Sequence, residues 1–347
     1  MSQESNIKKP LVILTGPTAS GKTELSVMLA KRIGGEIISA DSMQVYRHMD
    51  IGSAKAAPAE MDGVPHHLID VLEPWEEFNV TLFQKLAKEA AEQIYAKGRI
   101  PIVAGGTGFY IQALLYDVDF TENDGDMEYR NRLAQLSKEQ GPSVLHEMLA
   151  KVDPESAAAI HENNIKRVIR ALEFYQKTGQ KISAHNEAER KKESPYQFAY
   201  YVLNMERERL YRRIDLRVDR MMEAGLEEEV RGLWAMGCDR SMVSMQGLGY
   251  KEILSFLEGE ISKEEAVRII KRDTRHFAKR QLTWFKRERD VTWVDRESFA
   301  DSEAAVQWLC GDLSRRAYGN AWEQSILKLD FPFGNHKRWE IIGKEGV

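Results

Sequence analysis

The sequence predicts an α/β protein with a parallel-sheet core, a phosphate-binding loop and a small all-helical domain inserted into the core. Three observations predict it. Residues 11–23 read LVILTGPTASGKT, an apolar run feeding a loop of the form G-x-x-x-x-G-K-S/T and then a helical pattern at Leu25 and Leu29. A second apolar run, Ile100–Ala104, enters another glycine turn, Gly105-Gly106-Thr107-Gly108, which opens a second helix. From about 121 to 197 the texture is helical, with no strand pattern until Tyr200–Asn204. Strands that alternate with helices build parallel β-α-β units, and a purely helical stretch between them is an insertion.

The first loop makes the core P-loop NTPase-like. In the strand–loop–helix context of Gly16, Pro17, Thr18, Ala19, Ser20, Gly21, Lys22 and Thr23, backbone N–H groups and the positive helix end converge on anionic oxygens. Lys22 adds a point charge and the Thr23 hydroxyl a metal ligand, so Mg2+ is the expected cofactor. The bare motif suggests a nucleotide triphosphate. Next comes the short strand Glu36–Ala40, which ends at Asp41-Ser42-Met43-Gln44, one strand over from the loop. Val45–Ile69 reads as a long loop holding His66-His67; adjacent histidines lack the i,i+4 spacing of metal ligands, leaving loop packing or a substrate contact. A helix from about Val80 to Lys97 precedes the strand Ile100–Ala104. In the insertion, Met127–Glu139, Val144–Lys151 and Glu155–Lys177 read as helices, and Glu187–Glu193 as a charged closing loop. The core resumes with a helix over about Glu206–Met236 and another over about Ser262–Arg289.

These elements divide the chain into 1–120 (core, first part), 121–197 (helical insertion), 198–311 (core, second part, with a basic helix) and 312–347, a tail without a motif. At 347 residues a main domain plus one further unit is expected, and a net charge of −5 argues against indiscriminate nucleic-acid binding by the whole surface. Cys238 and Cys310 form neither a disulfide framework nor a zinc site. The first ten residues lack an apolar leader and no run approaches a membrane span, so a cytoplasmic protein with no membrane partner is expected.

Asp41 is the leading carboxylate near the phosphates, because the strand 100–104 ends in glycine where nucleotide hydrolases carry a metal-binding Asp. It reads as a general base or an acceptor for a substrate N–H, against a helix cap or a loop ion pair. Thr107 could orient the same substrate or cap its helix. Between Arg268 and Arg289 there are nine Lys/Arg and two acids. Arg268, Arg272, Arg275, Lys279 and Lys286 share one helix face, while Ile270, Phe277 and Phe285 turn inward. With Trp284 and His276 interleaved, this stripe reads as a track for a phosphate backbone. Lys166, Arg167 and Arg170 form a smaller basic cluster. Arg212-Arg213-Ile214-Asp215-Leu216-Arg217 is either a surface ion-pair ladder or an arginine source for the phosphate pocket. An ATP-using small-molecule kinase and a non-catalytic RNA-binding protein stay open on these features.

The blocks GPTASGKT, SADSMQVYRHMDIGSAK, VPHHLID, AGGTGFYIQAL, NNIKRVIRALE, QGLGYKE and TRHFAKRQLTWFKR occur in that order over roughly 10–310. Together they resemble the bacterial tRNA dimethylallyltransferase (MiaA) family. The resemblance implies transfer of a dimethylallyl group from dimethylallyl diphosphate to N6 of adenosine 37, in the anticodon stem-loop of tRNAs reading codons that start with U. It implies a magnesium-using enzyme in which Gly16–Thr23 hold the allylic diphosphate; a monomer is expected. Asp41 matches the base on the adenine amine and Arg217 a diphosphate contact, which with Lys22 and Thr23 make the catalytic set. The implied tRNA contacts are Asp41, Ser42, Met43, Gln44, Thr107, Arg130, Lys166, Arg167, Val168, Ile169, Arg170, Gln246, Gly247, Leu248, Gly249, Tyr250 and Lys251, with Arg275 and Lys279 on the basic helix. Position 246 is Gln where some relatives are basic. The tail after about Gly311 runs past the usual bacterial end, and the zinc finger of eukaryotic relatives is absent.

Overall fold

The structure is a computed structural model that describes residues 8–120 and 127–317. In chain order its elements are β1 (Lys9–Thr15), α1 (Lys22–Ile33), β2 (Gly35–Ala40), α2 (Pro58–Met61), β3 (His66–His67), α3 (Val80–Ala96), β4 (Ile100–Gly105) and α4 (Gly108–Leu115). Then come α5 (Met127–Gln140), α6 (Pro142–Val152), α7 (Pro154–Ala159), α8 (Ile165–Thr178) and α9 (Ile182–Lys191). They are followed by β5 (Tyr196–Asn204), α10 (Arg207–Glu223), α11 (Leu226–Ala235), α12 (Tyr250–Leu257), α13 (Lys263–Phe285), β6 (Val291–Asp295) and α14 (Ser302–Ala317).

The six strands form one parallel sheet in the order β3-β2-β4-β1-β5-β6. A parallel sheet is covered on both faces, so its strands read as continuous apolar runs. Leu11–Leu14 and Ala199–Leu203 are fully buried along their whole length. On one face α1 and α14 pack Leu25, Leu29, Val306 and Leu309 against the sheet. β1 connects to β2 on one side of it, while its neighbour β4 connects to β5 on the other. The loop after β1 therefore opens at the switch point of the sheet, where α/β folds place ligands. β4 lies between β1 and β2, so Asp41 at the end of β2 stands two strands from the loop rather than one.

The chain forms two compact units, Met1–Leu114 with Pro195–Val347, and Leu115–Ser194. In the second unit the Ser194 hydroxyl donates to the Leu115 carbonyl at 2.6 Å and ties entry to exit. Its core is built from Leu133, Leu145, Leu149, Val168 and Leu172. Buried Asp153 caps α7 through Ser156 and also accepts from the backbone and hydroxyl of Ser183 at the start of α9.

The structure breaks two helices that periodicity reads as continuous. Glu206–Met236 divides at Gly225, whose φ of +99° ends α10 and starts α11. Glu155–Lys177 divides at Ile160, which is extended (φ −113°, ψ 117°) and ends α7 before the His161–Asn164 turn. The charged stretch 187–193 is not a loop over its first part, because α9 runs to Lys191 and an ion pair joins Lys191 to Glu187 one turn earlier. The loop Val45–Ile69 contains α2 and β3. The turn at 121–126 and the tail beyond 317 lie outside the described residues.

His66 and His67 extend the sheet. Glu36, 1% exposed, receives His67 Nε2 at 2.8 Å, Lys97 Nζ at 3.0 Å and Arg99 Nη1 at 2.9 Å. Burial works to raise the Glu36 pKa, but hydrogen bonds from His67 and Lys97 hold it below the ordinary value. A depressed carboxylate pKa contributes stability that is complete above the unfolded value of about 4.3 and lost as pH falls through the folded value. Glu36→Gln is expected to cost about 1–3 kcal/mol at pH 7. Circular-dichroism melts should show that difference shrinking below about pH 4; a difference constant with pH would reject the linkage.

Candidate active site

β1 delivers Gly16–Thr23 to the carboxyl edge of the sheet, and Gly21 in the left-handed region starts α1. Ala19 is also left-handed (φ 64°), which turns its carbonyl out to Arg213, whose Nε donates to it at 2.7 Å. One helical turn further along α10, Arg217 Nη1 lies 3.5 Å from the Thr18 hydroxyl. Arginines at i and i+4 on α10 thus brace two successive residues of the loop. The Lys22 ammonium donates to the Pro17 carbonyl at 2.7 Å. Burial, followed by the Arg217 charge, lowers its pKa to about 7, while Asp41 acts to raise it. Burial also lowers the Arg217 pKa, opposed by Asp41. Two cations beside one carboxylate leave a positive pocket that an anion would complete.

Asp41 follows β2 directly. Its Oδ1 accepts the N–H groups of Met43 at 2.9 Å and Gln44 at 3.4 Å, so the residue closes a turn on itself and its carboxylate orientation is fixed. Among the described residues no hydrogen bond reaches its other oxygen. Gln44 is held by Ser39, Ser53 and Ala54. The Thr107 N–H donates to the Ala40 carbonyl at 3.1 Å, which sets the second glycine turn beside Asp41. Gly16–Thr23, Asp41, Thr107 and Arg217 therefore meet at adjacent strand ends of the first unit. The segment Gln246–Lys251 joins them there, with Met43 packed on Gly247.

The basic helix divides in two. In its first half Arg268 pairs with Glu265, Lys271 with Asp219, Arg272 with Asp273 and Arg275 with Asp215. In its second half and the turn that follows it, no acidic partner occurs among the described residues for Lys279, Lys286 or Arg287. There His276, Lys279, Arg280, Thr283, Trp284 and Arg287 line a shallow groove of about 360 Å3. Ile270, Ala278 and Phe285 pack inward; Phe277 does not, and lies under the Arg280 guanidinium. Trp284 meets Phe109 edge-to-face at 6.1 Å. In the second unit Lys166 and Arg167 are exposed at the start of α8.

Two family models match this chain, one described as IPP transferase over residues 44–288 and one described as isopentenyl transferase over residues 9–73. The chain belongs to the IPP transferase family. It is 63% identical over 298 residues to a tRNA dimethylallyltransferase of Lachnoclostridium phytofermentans, covering 86% of this chain and 95% of that one. It is 50% identical over 297 residues to a tRNA dimethylallyltransferase of Acetivibrio thermocellus, with shares of 86% and 95%. Among solved structures, the full-length tRNA isopentenylpyrophosphate transferase of Bacillus halodurans is 44% identical, with a TM-score of 0.67 over 90% of this chain and 98% of that one. A eukaryotic dimethylallyltransferase acting on tRNA is 31% identical, with a TM-score of 0.75 over 88% of this chain and 79% of that one.

Within this family's motifs several side chains expected at the tRNA are buried or engaged by other groups of the protein. Tyr250 is fully buried, and its hydroxyl donates to Glu229 at 2.7 Å while accepting the Ser53 N–H at 3.1 Å. Glu229 also accepts the N–H groups of Asp50, Ile51 and Gly52. Tyr250 thus shapes the loop after Gln44 and presents no surface to RNA. Val168 and Ile169 are buried in the core of the second unit. Arg130 is held by Glu173 through Nε at 2.7 Å and Nη2 at 2.9 Å, and Arg275 by Asp215, so neither is a free cation. Sequence reading singles out neither Gln281 nor Glu229. Arg213 appears in it only inside the charged ladder, although its i,i+4 spacing to Arg217 could have marked both for one face.

Proposed function

We propose that this protein is a tRNA dimethylallyltransferase, joining the dimethylallyl group of dimethylallyl diphosphate to N6 of adenosine 37 in tRNAs that read codons starting with U. The observation that carries this reading is the single oriented carboxylate of Asp41 beside a cationic phosphate loop. A hydrolase needs a water-orienting residue, whereas a prenyl transfer needs a diphosphate holder and a base. The C–O bond to diphosphate breaks as the N6 lone pair forms the new C–N bond. Asp41 takes the proton from nitrogen, and charge gathering on the departing oxygen meets Lys22, the loop amides and Arg217.

Magnesium fits the loop through the exposed Thr23 hydroxyl. No cluster of three His, Cys, Asp or Glu suited to a metal occurs among the described residues. Bound at the loop, magnesium would supply Lewis-acid neutralisation of the diphosphate. The target base must leave its stack, which costs least in a single-stranded loop, and the open cations of α13 suit the phosphate backbone of that loop. No helix among the described residues is long and apolar enough to cross a membrane. A tRNA substrate, as the names of the relatives give it, supports a cytoplasmic protein.

Nucleoside mass spectrometry of tRNA incubated with the protein, Mg2+ and dimethylallyl diphosphate tests the activity. A dimethylallyl mass increment on adenosine is expected, and ATP turnover without it would support a kinase. Lys279→Glu is expected to weaken tRNA binding and to flatten the dependence of log Kd on log salt by about one unit. Arg268→Ala, whose guanidinium is already paired with Glu265, should leave that slope unchanged. Filter-binding titrations over a salt series decide it, and equal slopes for Lys279→Glu and the unmodified protein would return the groove to a merely solvated face.

A further inference from the structure

Gln281 lies on the packing side of α13, 6% exposed, and its amide is held at both ends. Oε1 accepts the Thr18 backbone N–H at 2.9 Å, and Nε2 donates to the Gly106 carbonyl at 3.0 Å. These partners determine which way the amide points, because an N–H must face oxygen and a carbonyl must face nitrogen. The site also needs glycine at 106, since a Cβ there would lie 2.1 Å from Nε2. β1 and β4 are paired neighbours, with Thr15 opposite Gly105, so the two turns that leave them start side by side and Gln281 spans them. Thr18 is gripped from one side by Gln281 and from the other by Arg217, at 3.5 Å from its hydroxyl.

We propose that Gln281 is a positioning residue for the transfer. It holds the phosphate loop in register with the Gly106-Thr107 turn, and so sets the leaving diphosphate against the acceptor amine beside Asp41. The inference rests on the reading of the loop as a diphosphate site. Loop amides stabilise developing charge only when already aimed, and a glycine-containing loop keeps its aim through such a brace. The same helix carries Lys279 and Arg280 of the groove, so α13 joins that basic groove to the phosphate loop through one side chain.

Two variants test it, with transfer measured from labelled dimethylallyl diphosphate to tRNA. Gln281→Leu is expected to lower kcat about 10–100-fold while tRNA Kd stays within about two-fold. Gln281→Glu supplies a readout that loss of packing would not move. A neutral carboxyl group reproduces both bonds, accepting from Thr18 and donating to Gly106, whereas a carboxylate cannot donate to Gly106. The kcat of Gln281→Glu relative to the unmodified protein should therefore rise as pH falls from about 8 to about 6. Lys22, Asp41 and Arg217 on the neighbouring elements, and Lys279, Arg280 and Glu288 around α13, are common to both proteins and cancel in the ratio. An unchanged kcat in Gln281→Leu, a loss confined to tRNA affinity, or a ratio flat with pH would each overturn the inference alone. Failure of the unmodified protein to transfer any prenyl group would overturn the functional reading and this inference with it.

Discussion

Asp41→Asn is expected to lower kcat for prenyl transfer by about 10²–10⁴-fold while leaving tRNA Kd within about two-fold. The substitution is chosen over alanine because the asparagine carbonyl can still accept from Met43 and Gln44, as Asp41 Oδ1 does at 2.9 and 3.4 Å. The turn survives and only the base is removed. The acceptor amine is a weak nucleophile, since its lone pair is delocalised into the purine ring. Without a proton acceptor in reach, the C–N bond must form against an unrelieved positive charge on nitrogen. Single-turnover transfer with saturating tRNA isolates this step from binding. A variant that transfers at the unmodified rate would mean that water or phosphate takes the proton and that Asp41 only shapes its loop. An equal loss in binding and turnover would make Asp41 a tRNA contact rather than a base.

The core of this site is legible in the sequence because it is local. Gly16–Thr23, Asp41 and Thr107 each follow an apolar strand directly, and a parallel sheet brings consecutive strand ends to one edge. Arg217 is half legible: the charged ladder offers an arginine for the pocket, but nothing in a charged helix says which arginine faces a loop about two hundred residues away, and the family resemblance names it. Gln281 and Glu229 are invisible for the same reason. Each bonds backbone groups that are remote in sequence, and no periodicity encodes such a pairing. The basic stripe shows the opposite failure. Spacing placed Arg268, Arg272, Arg275, Lys279 and Lys286 on one face, but could not say that Glu265, Asp273 and Asp215 neutralise the first three. The broken helices fail more simply. Gly225 sits within an apolar period that continues on both sides, and only its positive φ ends the helix.

Lys22→Ala is expected to lower kcat/KM for dimethylallyl diphosphate by about 10²–10³-fold, the cost of losing one donor to a developing oxyanion. Arginine should not rescue it, because a planar guanidinium fork does not occupy the place of a compact ammonium that now donates to the Pro17 carbonyl at 2.7 Å. The loss has a second signature, in protons. With its pKa lowered to about 7 by burial and by Arg217, Lys22 is only partly charged near neutral pH before the diphosphate arrives. An anion beside it favours the ammonium and raises that pKa. Above pH 7 binding must therefore take up a proton, and affinity must weaken as pH rises until the pKa of the complex is reached. Calorimetry of inorganic pyrophosphate binding in buffers of different ionisation enthalpy counts that proton directly. The titration of pyrophosphate itself cancels when the unmodified protein is compared with Lys22→Ala. A surplus uptake of up to one proton in the unmodified protein near pH 8 is the expected result. Equal uptake in the two proteins would show that Lys22 is fully charged before binding, and the loop would then be a fixed cation holder rather than one whose charge is completed by its ligand.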